Sequence, residues 1–328
     1  MSPEPSVFVQ GLQKSYGEKR ALDGLNLTVP RGTVYGILGP NGAGKTTAIR
    51  ILSTLTRPDG GVARVGGFDV TTEPRKVRQK IGLTGQNAAV DDILSARQNL
   101  RMFGQLFHLS SADARRRADE LLEQFSLAEA ADKQPKDFSG GMRRRLDLAS
   151  SMILAPEVLF LDEPTTGLDP RGRSEVWESV RTLTATGTTV LLTMHYLDEA
   201  DKLSDRIAVI NHGRNIMDDT PAGLKRSIGA DRVEVVLADG ADIPATVKIL
   251  ARVSGDTEPQ IETDECRVHA PVTDGVTALA EVTRALLDNQ LKVEDVGLRR
   301  PTLDDVFLQL TGAVVPDEIT TNDERPSA

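Results

Sequence analysis

The stretch GPNGAGKTT, spanning Gly39, Pro40, Asn41, Gly42, Ala43, Gly44, Lys45, Thr46 and Thr47, combines the residue types that a phosphate needs. Glycines let the backbone curl until successive N–H groups converge on phosphate oxygens, and Gly39, Gly44, Lys45 and Thr46 keep the spacing G-x-x-x-x-G-K-[ST]. Lys45 adds a positive charge for β- and γ-phosphates, and the Thr46 hydroxyl suits Mg²⁺. Such a loop needs a strand before it and a helix after it. The apolar TVYGIL (residues 33–38) predicts the first and the residues from Lys45 the second. Further along, VLFLDEP (residues 158–164) predicts a buried strand ending in Asp162, whose carboxylate can join a magnesium shell beside Thr46. Glu163 is not needed for the metal; a second carboxylate at the ligand edge can instead polarise an attacking water.

A second anion site stands in SGGMRRRLDLA (residues 139–149), where Ser139, Gly140 and Gly141 open a helix whose free N–H groups welcome phosphate. It has no lysine and no metal ligand, so alone it would hold a nucleotide poorly. Three further residues are suggestive. Gln86, after the short strand of IGLTGQN, reads by itself as a ligand or as a plain polar loop residue, and His195, ending the strand of TTVLLTM, reads more readily as a satisfied core or cap residue than as a ligand. Tyr16, in KSYGEKRAL, is equally suited to stack on an adenine and to cover the first strands. The arginine runs at 115–117 and 143–145 read as solvated helix faces.

The elements that must position these groups alternate. Up to about residue 220, near-continuous β-branched runs followed by helical stretches predict a mainly parallel sheet covered on both faces. Residues about 90–155 interrupt that rhythm with three helical patterns, at 95–108, 112–125 and 140–154, and read as an inserted helical subdomain. A boundary near 230 closes the first domain, 1–230. Residues 231–312 predict a small α+β domain with strand 231–237, helix 244–253, strands near 259–270, helix 275–288, strand 291–298 and a last helix at 302–310. That order resembles a split βαβ. The tail from 313 to 328 is expected to be disordered.

Charge follows the same division. Residues 231 to 328 hold 20 acidic and 9 basic side chains, a net of −11, whereas residues 1 to 230 stand near neutrality at +2. Neither part has the basic stripe of a nucleic-acid binder. No run of about 18 apolar residues predicts a membrane span, and MSPEPSVFVQ lacks the pattern of a signal peptide. The single cysteine, Cys266, rules out an internal disulfide and fits a reducing cytoplasm.

In order, SYG, GPNGAGKTT, LTGQ, FSGGM, VLFLDEP, GLD and MHYLDEAD resemble the ATP-binding subunit of ABC transporters over about residues 5 to 225. The resemblance implies an α/β fold of the P-loop type, with a small antiparallel β part and an inserted helical subdomain. It implies that Tyr16 stacks on adenine and that Gln86 joins Mg²⁺ and the γ-phosphate to a membrane subunit. His195 would contact the γ-phosphate, and Asp169 would sit at the junction of two subunits. Ser139, Gly140 and Gly141 would serve the nucleotide held by the other copy, which accounts for the second cradle. Two ATP molecules would then lie between two copies of the chain, with Lys45, Glu163 and His195 acting on each. The chain departs from the family's pattern at Phe138 and Met142, where leucine and glutamine are usual, and at Gln98, where glutamate is frequent.

LDEPTTGLDPRGR, HYLDEADKLSDRIAVINHGR and RPTLDDVFLQLTG resemble the daunorubicin-resistance type, which serves exporters of drugs and lipids. The expectation is a cytoplasmic ATPase using ATP and Mg²⁺, docked on a separate permease at the inner face of the cell membrane. A nutrient-importer ATPase is the nearest alternative. A soluble repair ATPase would need a long coiled coil between Gln86 and Ser139, where only a few helices fit.

Overall fold

The computed structural model describes residues 4–85, 89–194, 196–228, 231–255 and 257–311. They fall into two compact units that divide between Pro221 and Ala222. The division precedes the boundary expected near 230 because residues 222–230 hold no acidic side chain and the acidic excess is carried from Asp231 onward, whereas the chain changes unit at the start of the helix Pro221–Ile228. Gln86, His195 and the tail from 313 lie outside the described residues.

The first unit is built on a six-stranded sheet in the order Arg214–Asp219, Arg206–Asn211, Val34–Leu38, Thr189–Met194, Val158–Asp162, Ile81–Thr84. The last five run parallel and the first is an antiparallel edge. Every residue of Val34–Leu38, Val158–Asp162 and Thr189–Met194 is buried, as strands covered on both faces must be. Asp162 and Thr193 are the polar side chains of functional interest inside this apolar centre. Both sit near the C-terminal ends of their strands, where open α/β sheets bind ligands.

A second, antiparallel sheet has the order Lys19–Val29, Val7–Tyr16, Gly60–Val65, Phe68–Asp69. Its inward side chains, among them Val7, Leu12, Leu22 and Leu25, share one core with Ile49 and Leu52 of the helix Lys45–Leu52. That common core carries Tyr16, at the hairpin end opposite Lys19, beside the glycine loop. The three expected helices are Ala96–Leu106, Ser111–Gln124 and Gly140–Ser151, each opened by a serine cap. Gln98 departs from the family's usual glutamate without loss of a local role. It completes a capping box, its Oε1 accepting from the Ser95 N–H at 2.8 Å.

In the second unit the strands Gln260–Glu262, Arg267–Val272, Asp231–Leu237 and Val293–Arg299 are neighbours in that order, all antiparallel. With the helices Ile243–Leu250 and Gly275–Asp288 between them, this is the βαββαβ order of a split βαβ. Its core packs Val233, Val235, Val268 and Ala270 of the sheet against Ile249, Leu250, Val282 and Leu286 of the helices. Cys266 is partly buried against that core. Among the described residues of the whole chain, no helix is long and apolar enough to cross a membrane.

Candidate nucleotide-binding site

The glycine loop links Val34–Leu38 to the helix Lys45–Leu52 and lines a cleft of about 330 Å³. Its walls are Pro40, Asn41, Gly42, Ala43, Gly44, Lys45, Thr46 and Thr47, with Tyr16, Lys19, Ala21 and Glu163. Gly44 cannot be replaced: its φ is 109°, and a Cβ there would stand 2.5 Å from the Ala21 carbonyl oxygen. Lys45 is buried. Its Nζ donates to the carbonyl oxygens of Gly39 (2.6 Å) and Pro40 (3.3 Å). Burial pulls the Lys45 pKa down, while the carboxylates of Glu163 and Asp162 oppose that shift and favour the charged form. The ammonium is thus held inside the loop by oxygens that a phosphate can replace.

Thr46 meets the end of the strand Val158–Asp162. Its hydroxyl donates to Asp162 Oδ1 at 3.3 Å, and the Thr193 hydroxyl donates to the same oxygen at 2.7 Å. Thr46 and Asp162 therefore present two hard oxygens side by side. Among the described residues no group of three or more His, Cys, Asp or Glu side chains forms a metal cage. A pair of hard oxygens is what Mg²⁺ would take from a protein when it keeps its waters and binds substrate phosphates. Glu163 turns away from the strand with φ 53°, its N–H donating to Thr193 Oγ1 at 3.0 Å. The half-buried side chain lines the cleft.

Ser139 caps the helix Gly140–Ser151, its hydroxyl accepting from the Met142 N–H at 3.2 Å. Asp169 caps the helix Pro170–Ala185 in the same way, accepting from Gly172 N–H at 2.8 Å. The two helices meet through glycines: a Cβ on Gly141 would come within 3.0 Å of the Gly172 Cα. The structure thus gathers Ser139, Gly140, Gly141 and Asp169 in one place, with Ser139, Gly140 and Asp169 exposed. None of these four lines the Lys45 cleft.

The solvated reading of the 143–145 run is wrong. Arg144 is buried, and Arg145 has only 12% of its side chain exposed, paired with Glu175 at 3.1 Å. Three consecutive arginines carry no periodic signal, so composition could not single out the one that turns inward. Thr193 and Glu199 were also missed, though each had a signal. Thr193 is a polar residue inside a continuous apolar strand, and Glu199 lies on the buried side of the helix Leu197–Leu203.

Glu199 accepts from Thr165 Oγ1 (2.9 and 2.8 Å to its two oxygens) and from the indole N–H of Trp177 (2.8 Å). It thereby ties the segment after Glu163 to the Asp169 helix. Burial pushes its carboxyl above the ordinary 4.5, against the two hydrogen bonds. A carboxyl raised on folding stabilises fully below 4.5, and this contribution is lost as pH rises through the folded value. Glu199→Gln removes the buried charge and keeps an acceptor for Trp177. It is expected to raise the melting temperature at pH 7.5 by roughly 2–4 °C, and the gain should vanish near pH 4. Melts followed by the fluorescence of Trp177, the one tryptophan, check this; a lowered midpoint at every pH would contradict it.

A glycine loop opening a helix, a lysine inside it, a threonine against a strand-end aspartate and a neighbouring glutamate define a nucleotide-binding domain of the P-loop class. The family model described as "ABC transporter" matches residues 22–166, and that described as "ATP-binding protein DrrA1-3-like, C-terminal domain" matches residues 220–311. The "Daunorubicin resistance ATP-binding protein DrrA2" of Streptomyces coeruleorubidus is 66% identical over 307 residues, covering 94% of this chain and 95% of that one. The DrrA3 protein of the same organism, under the same description, is 57% identical over 309 residues, covering 94% and 96%. Among solved structures, the dimeric ATP-binding cassette MJ0796, in a post-hydrolysis state bound to ADP and Pi, superposes with a TM-score of 0.59 at 26% identity, covering 65% of this chain and 98% of that chain. The chain belongs to the ATP-binding proteins of ABC transporters, in their daunorubicin-resistance branch, and the activity of that family is ATP hydrolysis.

Proposed function

We propose that the chain hydrolyses ATP to drive efflux of a hydrophobic drug, antibiotic or lipid through a separate integral-membrane permease. It works on the cytoplasmic face of the cell membrane and is held there by that permease. The names of its relatives, which concern daunorubicin resistance, support export over import. Two copies sandwich two ATP molecules, each between one glycine loop and the Ser139 cradle of the other copy. The observation that carries this reading is the separation of the two cradles. Lys45, Thr46 and Glu163 share one cleft, while Ser139, Gly140, Gly141 and Asp169 are gathered outside its lining.

In this reading the roles of the loop, Tyr16 and Glu163 are supported by the lining of the cleft, and those of Gln86 and His195 by the family resemblance. The N–H groups of Gly42 to Thr47 and the Lys45 ammonium bind the β- and γ-phosphates, and Tyr16, half exposed beside the loop, stacks on the adenine. Thr46 and Asp162, with Gln86, would hold Mg²⁺, which would supply positive charge beside the phosphates. Glu163 accepts a proton from the attacking water, and His195 steadies the γ-phosphate. Residues 1–230 form the ATPase domain, and the acidic domain 231–312 holds the two copies together between cycles.

The test is reconstitution with the permease in inverted vesicles, following uptake of daunorubicin. Uptake should require MgATP and this chain. Lys45→Ala should weaken ATP binding by about 10- to 100-fold, since a charge-assisted hydrogen bond contributes roughly 1.5–3 kcal/mol, and should abolish uptake. MgATP-dependent uptake that persists without the chain, or in Lys45→Ala, would contradict the function.

A further inference from the structure

Glu163 has an unusual backbone. It precedes Pro164, a setting that normally keeps a residue extended, yet its φ is 53°, in the left-handed region that few side-chain-bearing residues occupy. Such a conformation persists only where its surroundings over-determine it. Thr193 holds the Glu163 N–H on one side. On the other side stands the Arg144 guanidinium, carried on the helix Gly140–Ser151 and only 8% exposed.

Arg144 spreads its donors over the whole turn. Nε donates to the Pro164 carbonyl at 2.8 Å, and Nη2 points at the carbonyls of Glu163 (3.4 Å) and Asp162 (3.5 Å). Nη1 donates to the Gly85 carbonyl at 2.8 Å and to Asp147 Oδ2 at 3.2 Å. Asp147, 3% exposed, is itself fixed by the Ala89 N–H at 2.8 Å. A planar fork with five donors reaches several carbonyls at once, which a lysine ammonium at the end of a flexible stem cannot do.

We propose that Arg144 is a positioning residue for hydrolysis: by gripping the carbonyls on both sides of Glu163, it holds that carboxylate aimed into the cleft. This rests on Glu163 acting as the base. The helix whose first turn offers Ser139 to the other copy is then also the helix that aims the base of its own site.

The test is a set of steady-state rates on the full chain. Arg144→Lys keeps the positive charge beside Asp147 and loses the fork. The pair Arg144→Gln with Asp147→Asn removes both buried charges together, so that neither is left unpaired. Either variant, checked for folding by its melt, should lower kcat about 10- to 100-fold, as a small misplacement of a reacting group does, with KM for ATP changed less than about threefold. Added to Glu163→Gln, the same change should lower the rate no further, because the group it aims is gone. Wild-type turnover in a folded Arg144 variant would overturn the proposal. So would a further drop of the same factor on top of Glu163→Gln, or a loss expressed in KM. Near-normal turnover in Glu163→Gln alone would instead overturn the base assignment and this proposal with it.

Discussion

Glu163→Gln is expected to cut MgATP turnover on the order of 10²–10⁴-fold, with ATP still bound. The substitution is close to isosteric, and the Glu163 N–H that fixes the turn is a backbone group, so its bond to Thr193 survives. Asp162 and Thr46 are untouched and keep their mutual contact. What disappears is the Glu163 carboxylate, which lines the cleft and is the group proposed to take a proton from water. Phosphate release under single- and multiple-turnover conditions measures the loss, and nucleotide titration measures the retained affinity. Turnover within threefold of the parent would remove Glu163 as the base.

Ser139→Arg is expected to abolish hydrolysis while leaving ATP binding to the dilute monomer nearly intact. In the proposed site the monomer's nucleotide rests on the loop from Pro40 to Thr47, and Ser139 does not line that cleft. The change removes a helix cap, at a cost of about 1 kcal/mol in stability, and sets an arginine across the exposed N-terminus where another copy's γ-phosphate must approach. Ser139→Ala separates the two effects, since it loses the cap and leaves the approach open. Equilibrium binding of a fluorescent ATP analogue, run beside Lys45→Ala, decides the matter. If Ser139→Arg and Lys45→Ala weaken monomeric binding equally, the cradle serves its own chain's nucleotide and the sandwich is wrong.

Much of this was legible from residue order, for physical reasons that can be named. The strands Val34–Leu38, Val158–Asp162 and Thr189–Met194 are continuous apolar runs, because both faces of a parallel sheet are buried. The glycine loop was legible because its geometry admits few residue types: Gly44, with φ 109° and the Ala21 carbonyl against it, leaves no room for a side chain. The αβ order of the second unit was readable from alternating periodicity, though the strand Gln260–Glu262 is only three residues long. The hidden part lies in hydrogen bonds between elements distant in sequence. Arg144 looked like one of three solvated arginines, and only packing of its helix against the end of the strand Val158–Asp162 makes it a clamp on four carbonyls. Glu199 meets Thr165 and Trp177 from two other elements, and no local pattern encodes such a meeting.

The central claim is that each ATP is shared by two copies, and the mass of the Glu163→Gln protein in MgATP tests it most directly. With hydrolysis blocked, light scattering should find a particle of twice the 35.4 kDa chain mass, and nucleotide extracted from it should amount to one ATP per chain. Adding Ser139→Arg should return the particle to the single-chain mass with ATP still bound. A Glu163→Gln chain that binds ATP and stays at 35.4 kDa, or a Ser139→Arg variant that dimerises equally well, would contradict the account.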